Sequence, residues 1–129
     1  MLTFLYASIS IDDIDIRYRR EVSSVDQYKR MTESMFYVLM CFYQKPTFGI
    51  EIVSTINQWS QGEVQMGPGT LYTILGRFEK DGLIKEISVE GRKRTYQITP
   101  LGKDIYELEL ERLNRELEVA TKVRGEQDV

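Results

Sequence analysis

"GPGTLYTILGRFEKDGLIK" (residues 67–85) carries the signals for the start, the buried face and the end of one helix. Gly67 is an acceptable N-cap residue, Pro68 suits the first helical position, and Gly82 after Asp81 is a typical helix stop. The spacing therefore predicts a helix from Pro68 to Asp81, with a turn after it.

The two faces of this predicted helix differ. At about 100° per residue, one arc is apolar and is predicted to be buried: Leu71, Ile74, Leu75 and Phe78. The opposite arc is small and polar: Gly69, Thr73, Gly76 and Lys80. An exposed glycine inside a helix costs about 1 kcal/mol relative to alanine, so such a face is either tolerated or useful. A slim face allows close approach to another surface, such as the major groove of DNA.

Two helices are predicted before this stretch. Thr32 can cap a helix that runs to Gln44, and Pro46 ends it because proline cannot continue the hydrogen-bond ladder. Thr47 is then predicted to open a second helix. Its apolar residues at helical spacing are Ile50, Val53, Ile56 and Trp59.

A hairpin and a long helix are predicted after it. Residues 84–98 alternate in polarity around "EGRK", which is typical of two paired strands. Thr99 and Pro100 then provide the cap and the first position of a last helix, which reaches about Val123.

Charge is unevenly distributed along the chain, although its formal net charge is only -3. Residues 67–103 contain seven Lys and Arg against four Asp and Glu, whereas residues 104–129 contain four against eight. Three of the cations are consecutive at the hairpin tip: Arg92, Lys93 and Arg94. The hairpin and the helix before it are therefore a candidate anion-binding face.

The last helix carries an apolar row that resembles a short coiled-coil seam. Its members are Tyr106, Leu110, Leu113, Leu117 and Ala120. A helix of roughly 35 Å is too long for a domain of this size to cover its whole apolar row. The row predicts a homodimer; the alternative is a helix that folds back on its own domain.

Composition argues against an enzyme. The chain has one cysteine, Cys41, and no histidine, so it lacks the commonest metal ligand and general base, and no metal site or cofactor is expected. The glutamates of the last helix alternate with cations, which is typical of a solvated face rather than of catalytic carboxylates. The apolar opening is too short for a signal peptide or a membrane span, so a cytoplasmic protein is expected.

Three blocks of the chain together resemble the PadR family of transcriptional regulators. They are "TFGIEI" (47–52), "GPGTLYTILGRFEKDGLIK" (67–85) and "GRKRTYQITPLGK" (91–103). The resemblance implies a mainly α fold with a small β-hairpin, a winged helix-turn-helix followed by a long C-terminal dimerisation helix. It also implies that the third helix reads the major groove while the wing, the hairpin of residues 84–98, meets the DNA backbone. The DNA-binding residues assigned on the helix and wing are Thr70, Tyr72, Thr73, Arg77, Lys80, Arg92, Lys93 and Arg94.

The resemblance divides the chain into three parts. Residues 1–30 are an N-terminal extension of unknown role, an arm or a short hairpin, and Met31 is an alternative start. Residues 31–99 form the DNA-binding domain, and residues 100–129 form the dimerisation helix and tail. The expected function is a sequence-specific repressor that binds double-stranded DNA as a homodimer at an inverted-repeat operator. The alternative is a winged-helix module that binds protein instead of DNA. Whether a small-molecule effector exists stays open.

Overall fold

The computed structural model describes Tyr28 and residues 31–127. In these ranges the helices are α1 (Glu33–Gln44), α2 (Gly49–Trp59), α3 (Pro68–Lys80) and α4 (Pro100–Gln127), and strands β1 (Ile84–Glu90) and β2 (Lys93–Ile98) lie between the last two. This order confirms the predicted fold class, a winged helix-turn-helix with a long last helix. The arm or hairpin predicted for residues 1–30 lies outside the described residues, except for Tyr28.

α1 begins as predicted, but α2 does not. The Thr32 hydroxyl oxygen accepts a hydrogen bond from the Met35 amide at 3.2 Å, which caps α1. Thr47 does not open α2. Its backbone pairs with Tyr96 of β2 through two hydrogen bonds of 3.0 and 3.1 Å, so it adds a one-residue third strand to the hairpin. The prediction of a helix start at Thr47 was wrong because Thr47 pairs with a strand that is distant in sequence, and local sequence signals do not show such a pairing.

α3 has the two faces that the sequence predicts. Its apolar residues are buried: Leu71, Ile74, Leu75 and Phe78. Gly69, Thr73 and Gly76 are exposed. The helix ends at Lys80, and Gly82 follows with a φ of 79°, a left-handed conformation that suits glycine. Local signals therefore define this helix almost completely.

The hairpin is a two-stranded antiparallel sheet. Ile84 pairs with Ile98 at its base and Glu90 with Lys93 at its tip, and the register shifts between Glu86 and Ser88. This shift is a β-bulge, which twists the strand locally. The hairpin forms the wing, and its base lies over the helices because Ile84 and Ile98 are both buried.

α4 is attached directly to the turn after α3. The Thr99 amide donates to the Leu83 carbonyl at 2.9 Å, and the Thr99 hydroxyl donates to the Gly82 carbonyl at 2.5 Å. The same hydroxyl oxygen accepts from the Gly102 amide at 3.1 Å, so Thr99 is the predicted cap. A Cβ at Gly102 would collide with the Leu83 carbonyl oxygen and lie 2.7 Å from Ile98 Cγ1. Glycine is required for this close approach.

The core lies where α1, α2, α3, the base of the wing and the start of α4 meet. Its largest fully buried apolar side chains include Phe42, Phe78, Leu39, Ile52 and Ile105. Each such side chain contributes about 1.5–3 kcal/mol to folding. Cys41 is buried with them, and burial raises the pKa of its thiol to about 12.

Candidate nucleic-acid interface

A cleft of about 700 Å³ lies between the wing, α3 and the start of α2. Tyr72 and Leu75 line it from α3, and Tyr96 lines it from β2. Three predicted DNA-binding cations of the wing line the same cleft: Arg92, Lys93 and Arg94. The structure therefore brings four of the eight predicted DNA-binding residues to one concave surface.

The wing is joined to the segment before α2, and its own two strands are joined by an ion pair. The Lys93 Nζ lies 4.3 Å from the centroid of the Phe48 ring, a cation–π contact with the residue that precedes α2. The Arg94 guanidinium lies 3.8 Å from a Glu86 carboxylate oxygen on the paired strand. Together with the pairing of Thr47 and Tyr96, the Lys93 contact fixes the wing relative to the start of α2, while the Arg94 ion pair lies within the wing.

The exposed face of α3 leaves room for another surface. A Cβ added at Gly69 or Gly76 would meet no atom within 4 Å. The Thr73 hydroxyl donates to the Gly69 carbonyl at 2.8 Å, so this side chain lies close to the helix backbone. Tyr72 is 66% exposed beside this face, and Thr70 is also exposed. The outer face is slim and carries hydroxyl groups that can donate or accept hydrogen bonds.

The start of α2 contributes residues that the sequence reasoning missed. Ile50 was expected in the apolar row of α2, but it is 81% exposed; the helix buries Ile56 of that row and Ile52, which lies outside it. Ile50 and Tyr72 both line the 700 Å³ cleft and a neighbouring depression of about 500 Å³. The spacing of Ile52 and Ile56 could have signalled this, because at about 100° per residue they lie about 160° and about 120° from Ile50 around the helix axis.

Arg77 and Lys80 lie nearer the C-terminal end of α3 and do not line the cleft. The Arg77 guanidinium carbon lies 4.9 Å from the centroid of the Tyr28 ring, and its Nε lies 3.8 Å from Asp81 Oδ2. The Tyr28 hydroxyl donates to the same carboxylate at 2.5 Å. Burial is the main cause that raises the pKa of Tyr28, and the hydrogen bond to Asp81 raises it further. Arg77 thus belongs to a second cluster, away from the wing.

The predicted dimerisation residues divide into two groups along α4. Tyr106 is half-buried and stacks on Tyr43 and Phe36 of α1, with ring centroids 4.3 and 5.2 Å apart. Leu113 is also half-buried, whereas the outer part of the seam is exposed: Leu110, Leu117 and Ala120. Tyr106 is therefore packed within its own chain, whereas Leu110, Leu117 and Ala120 are exposed and available to a partner.

One carboxylate of α4 departs from the predicted solvated face. Glu109 is buried, and Arg112 Nε donates to both of its oxygens at 3.2 Å. Arg112 also contacts Glu116 at 3.1 Å. An ion pair along the helix therefore compensates the buried charge.

Among residues 31–127, no helix is both long and apolar enough to cross a membrane.

The chain matches the model of the transcriptional regulator PadR-like family over residues 38–108, more than half of its length. It is 31% identical over 86 residues to an uncharacterised 37.1 kDa protein in a transposon of Streptomyces fradiae, which covers 67% of this chain and 24% of that protein. It is 31% identical over 70 residues to the uncharacterised protein X of Lysinibacillus sphaericus, and this match covers 51% of this chain and 64% of that protein. The chain thus spans about a quarter of the first relative's length and just under two thirds of the second's.

Solved structures of transcription regulators share the fold. A transcriptional regulator from Clostridium thermocellum superposes with a TM-score of 0.61 at 29% identity, covering 68% of this chain and 89% of that one. A PadR family transcription regulator from Clostridium difficile gives a TM-score of 0.61 at 22% identity, covering 73% and 100%. The family match covers most of α1 and all of α2, α3 and the wing, which include the elements that build the cleft. The chain therefore belongs to the PadR-like family of transcriptional regulators.

Proposed function

We propose that the chain binds double-stranded DNA as a homodimer at an inverted-repeat operator and represses transcription there. One observation carries the proposal: Arg92, Lys93 and Arg94 line a single cleft with Tyr72 of α3. Cations and an aromatic hydroxyl on one concave surface suit a ligand that has both phosphates and base edges. Residues 31–99 are the DNA-binding domain in this proposal, and residues 100–129 are the dimerisation helix and tail.

α3 is the element that enters the major groove. The groove is about 12 Å wide, and the absence of side chains at Gly69 and Gly76 lets the helix backbone approach the bases. Tyr72, Thr73 and Arg77 are the candidates for contacts with base edges, and Arg77 is able to donate two hydrogen bonds to guanine. Thr70 and Lys80 lie on the exposed side of the same helix and supply further polar contacts.

The wing supplies phosphate contacts. Its three cations are exposed at and beside the hairpin tip, so they are accessible to a DNA backbone. Phosphate neutralisation gives affinity without sequence information and makes binding strongly dependent on salt. A single wing has few charges, so two copies are needed for a useful affinity.

α4 is the element through which two copies of the chain would pair. It has 28 residues and is ~42 Å long, and its outer seam residues lie beyond the segment that packs on α1. Pairing two such helices would cover Leu117 and Ala120 of each chain. A dimer would place its two α3 helices about one DNA turn, ~34 Å, apart, which is why an inverted repeat is proposed.

Fluorescence anisotropy with duplexes from the region upstream of the protein's own gene tests this function. We expect saturable binding of one dimer per site, with log affinity falling against log salt by about 0.9 for each phosphate contacted. Replacing Arg92, Lys93 and Arg94 together by alanine should weaken binding to every duplex to a similar degree. Salt-independent binding, or unchanged affinity of the triple variant, would contradict the proposal. A reporter gene behind the bound region tests repression: expression should rise when the protein is absent.

A second candidate is a winged-helix module that binds an acidic protein. The observation that favours it is the exposure of Ile50 beside Tyr72, since together they give the basic cleft an apolar anchor of the kind common in protein interfaces. A gel-shift assay with the upstream duplex discriminates between the two functions, because a protein-binding module would not retard it.

A further inference from the structure

A side chain from before the winged helix packs against the C-terminal end of α3. Tyr28 is 3% exposed, and its ring lies 5.9 Å from that of Phe78 at a tilt of 58°. Its hydroxyl donates to Asp81 Oδ2 at 2.5 Å, and Asp81 is the C-cap of α3. The residue is therefore part of the core, although it lies in the segment that the sequence assigns to an extension.

Tyr28 and Asp81 together hold the guanidinium of Arg77. The ring of Tyr28 lies 4.9 Å from the guanidinium carbon, and the Asp81 carboxylate lies 3.8 Å from Nε. The Arg77 side chain is nevertheless 46% exposed. A guanidinium has five N–H donors, so contacts on one face and at Nε leave donors for another ligand.

Such restraint matters for recognition. A free arginine side chain loses rotamer freedom when it is fixed on a base, and this loss weakens binding. An arginine already stacked on an aromatic ring has lost part of that freedom before the ligand arrives. The hydrogen bond from Tyr28 to Asp81 fixes in turn the carboxylate that contacts Nε.

We propose that Tyr28 is a positioning residue for Arg77, so that the preference of α3 for one base pair depends on a side chain outside the winged helix. Tyr28 acts through the stacked ring and through Asp81, without touching the DNA. This inference rests on the proposed function, in which Arg77 contacts a base edge.

Selection from randomised duplexes tests the inference with the full-length protein. Arg77→Ala is first compared with the parent, which identifies the base pair whose preference Arg77 supplies. Tyr28→Leu should then lose about tenfold or more of the discrimination at that same base pair, the range of one arginine–guanine contact. Its affinity for a non-specific duplex and its salt slope should stay unchanged. Adding Arg77→Ala to Tyr28→Leu should cause no further loss of discrimination.

Three variants separate positioning from stability. Met31→Ala removes another buried side chain that precedes α1 and should lower the unfolding midpoint without changing base preference. Tyr28→Phe keeps the ring and should retain most of the discrimination. A fluorinated phenylalanine at position 28 keeps that shape but weakens the attraction of the ring for a cation, so it should lose discrimination relative to Tyr28→Phe. This comparison still decides the matter if Tyr28→Leu does not fold.

The outcomes are distinguishable. Unchanged discrimination in both Tyr28→Leu and the fluorinated variant overturns the inference. Unchanged discrimination in Arg77→Ala also overturns it, while sequence-specific binding by the parent would still support the proposed function. Failure of the parent to bind any duplex overturns both.

Discussion

The ammonium group of Lys93 in the wing lies over the ring of Phe48, 4.3 Å from its centroid, and joins the hairpin to the start of α2. Lys93 therefore has a structural role in addition to its proposed role at phosphates, whereas Arg92 lies in the hairpin turn just before β2. The contact gives the two neighbouring cations different expected effects on DNA binding.

Phe48→Leu should weaken duplex binding about two- to fivefold, because a cation–π contact at an exposed site is worth about 0.5–1 kcal/mol. It should leave the salt slope unchanged, since no charge is lost. Arg92→Ala is the matched comparison and should reduce the slope by about 0.9 if Arg92 contacts one phosphate. Anisotropy titrations at several salt concentrations measure both quantities. A slope change in Phe48→Leu as large as that in Arg92→Ala would contradict this division of roles.

Gly76→Ala should stabilise the protein and weaken DNA binding. The position is exposed and a Cβ there meets no atom within 4 Å, so alanine should raise the free energy of unfolding by about 1 kcal/mol. The added methyl group would thicken the face of α3 that is proposed to enter the groove. Gly125→Ala in α4 is the control: it is equally free of contacts and should stabilise without affecting affinity. Denaturant unfolding and anisotropy test the pair, and unchanged affinity of Gly76→Ala would argue that this face does not meet DNA.

Gly102→Ala should destabilise the protein by about 1–3 kcal/mol or more, because the new methyl group would collide with the Leu83 carbonyl oxygen. The same substitution at Gly125 should have the opposite sign. Urea unfolding monitored by circular dichroism would measure the difference. Equal stabilities of the two variants would mean that α4 does not approach the turn as closely as described.

Leu117→Glu should convert the proposed dimer into a monomer. Leu117 is 65% exposed on the predicted seam, and a charge there would be buried against the partner helix. Val119→Glu is a close control, since Val119 is 63% exposed on the same helix but two residues away, about 200° around the helix axis. Sedimentation equilibrium should give a monomer for the first variant and a dimer for the second. If both variants are dimers, or both are monomers, the interface does not lie on the predicted seam.

Cys41 should react with thiol reagents only when the protein unfolds, since the side chain is buried and the pKa of its thiol is raised from 9.0 to about 12. In the unfolded chain the thiol ionises at its ordinary pKa, so its contribution to stability is present below about pH 9. That contribution should decrease as the pH rises towards 12. The difference in free energy of unfolding between the parent and Cys41→Ala should narrow over this interval. A difference in free energy of unfolding that stays constant over this interval would contradict the raised pKa of the thiol.

The sequence predicts the elements whose signals are local. The caps, proline and glycine around α3 define its start and end, and its apolar spacing identifies the buried face. Thr47 could not be assigned in this way, because it pairs with Tyr96, which is far away in sequence. The register shift beside Ile87 is likewise a property of two strands together. The wing cations of the cleft were predicted, but Phe48 and Ile50 were not, since their exposure depends on how α2 packs.

The junction at Thr99 determines how the two halves of a dimer would be arranged. Thr99 bonds to Gly82 and Leu83 while it caps α4, so the last helix is fixed to the end of α3 without a linker that could bend freely. The direction in which α4 leaves the domain therefore also sets where its partner's α3 would lie. In such an assembly, the hydrogen bonds between Thr99 and the turn after α3 would set the number of base pairs between the two half-sites.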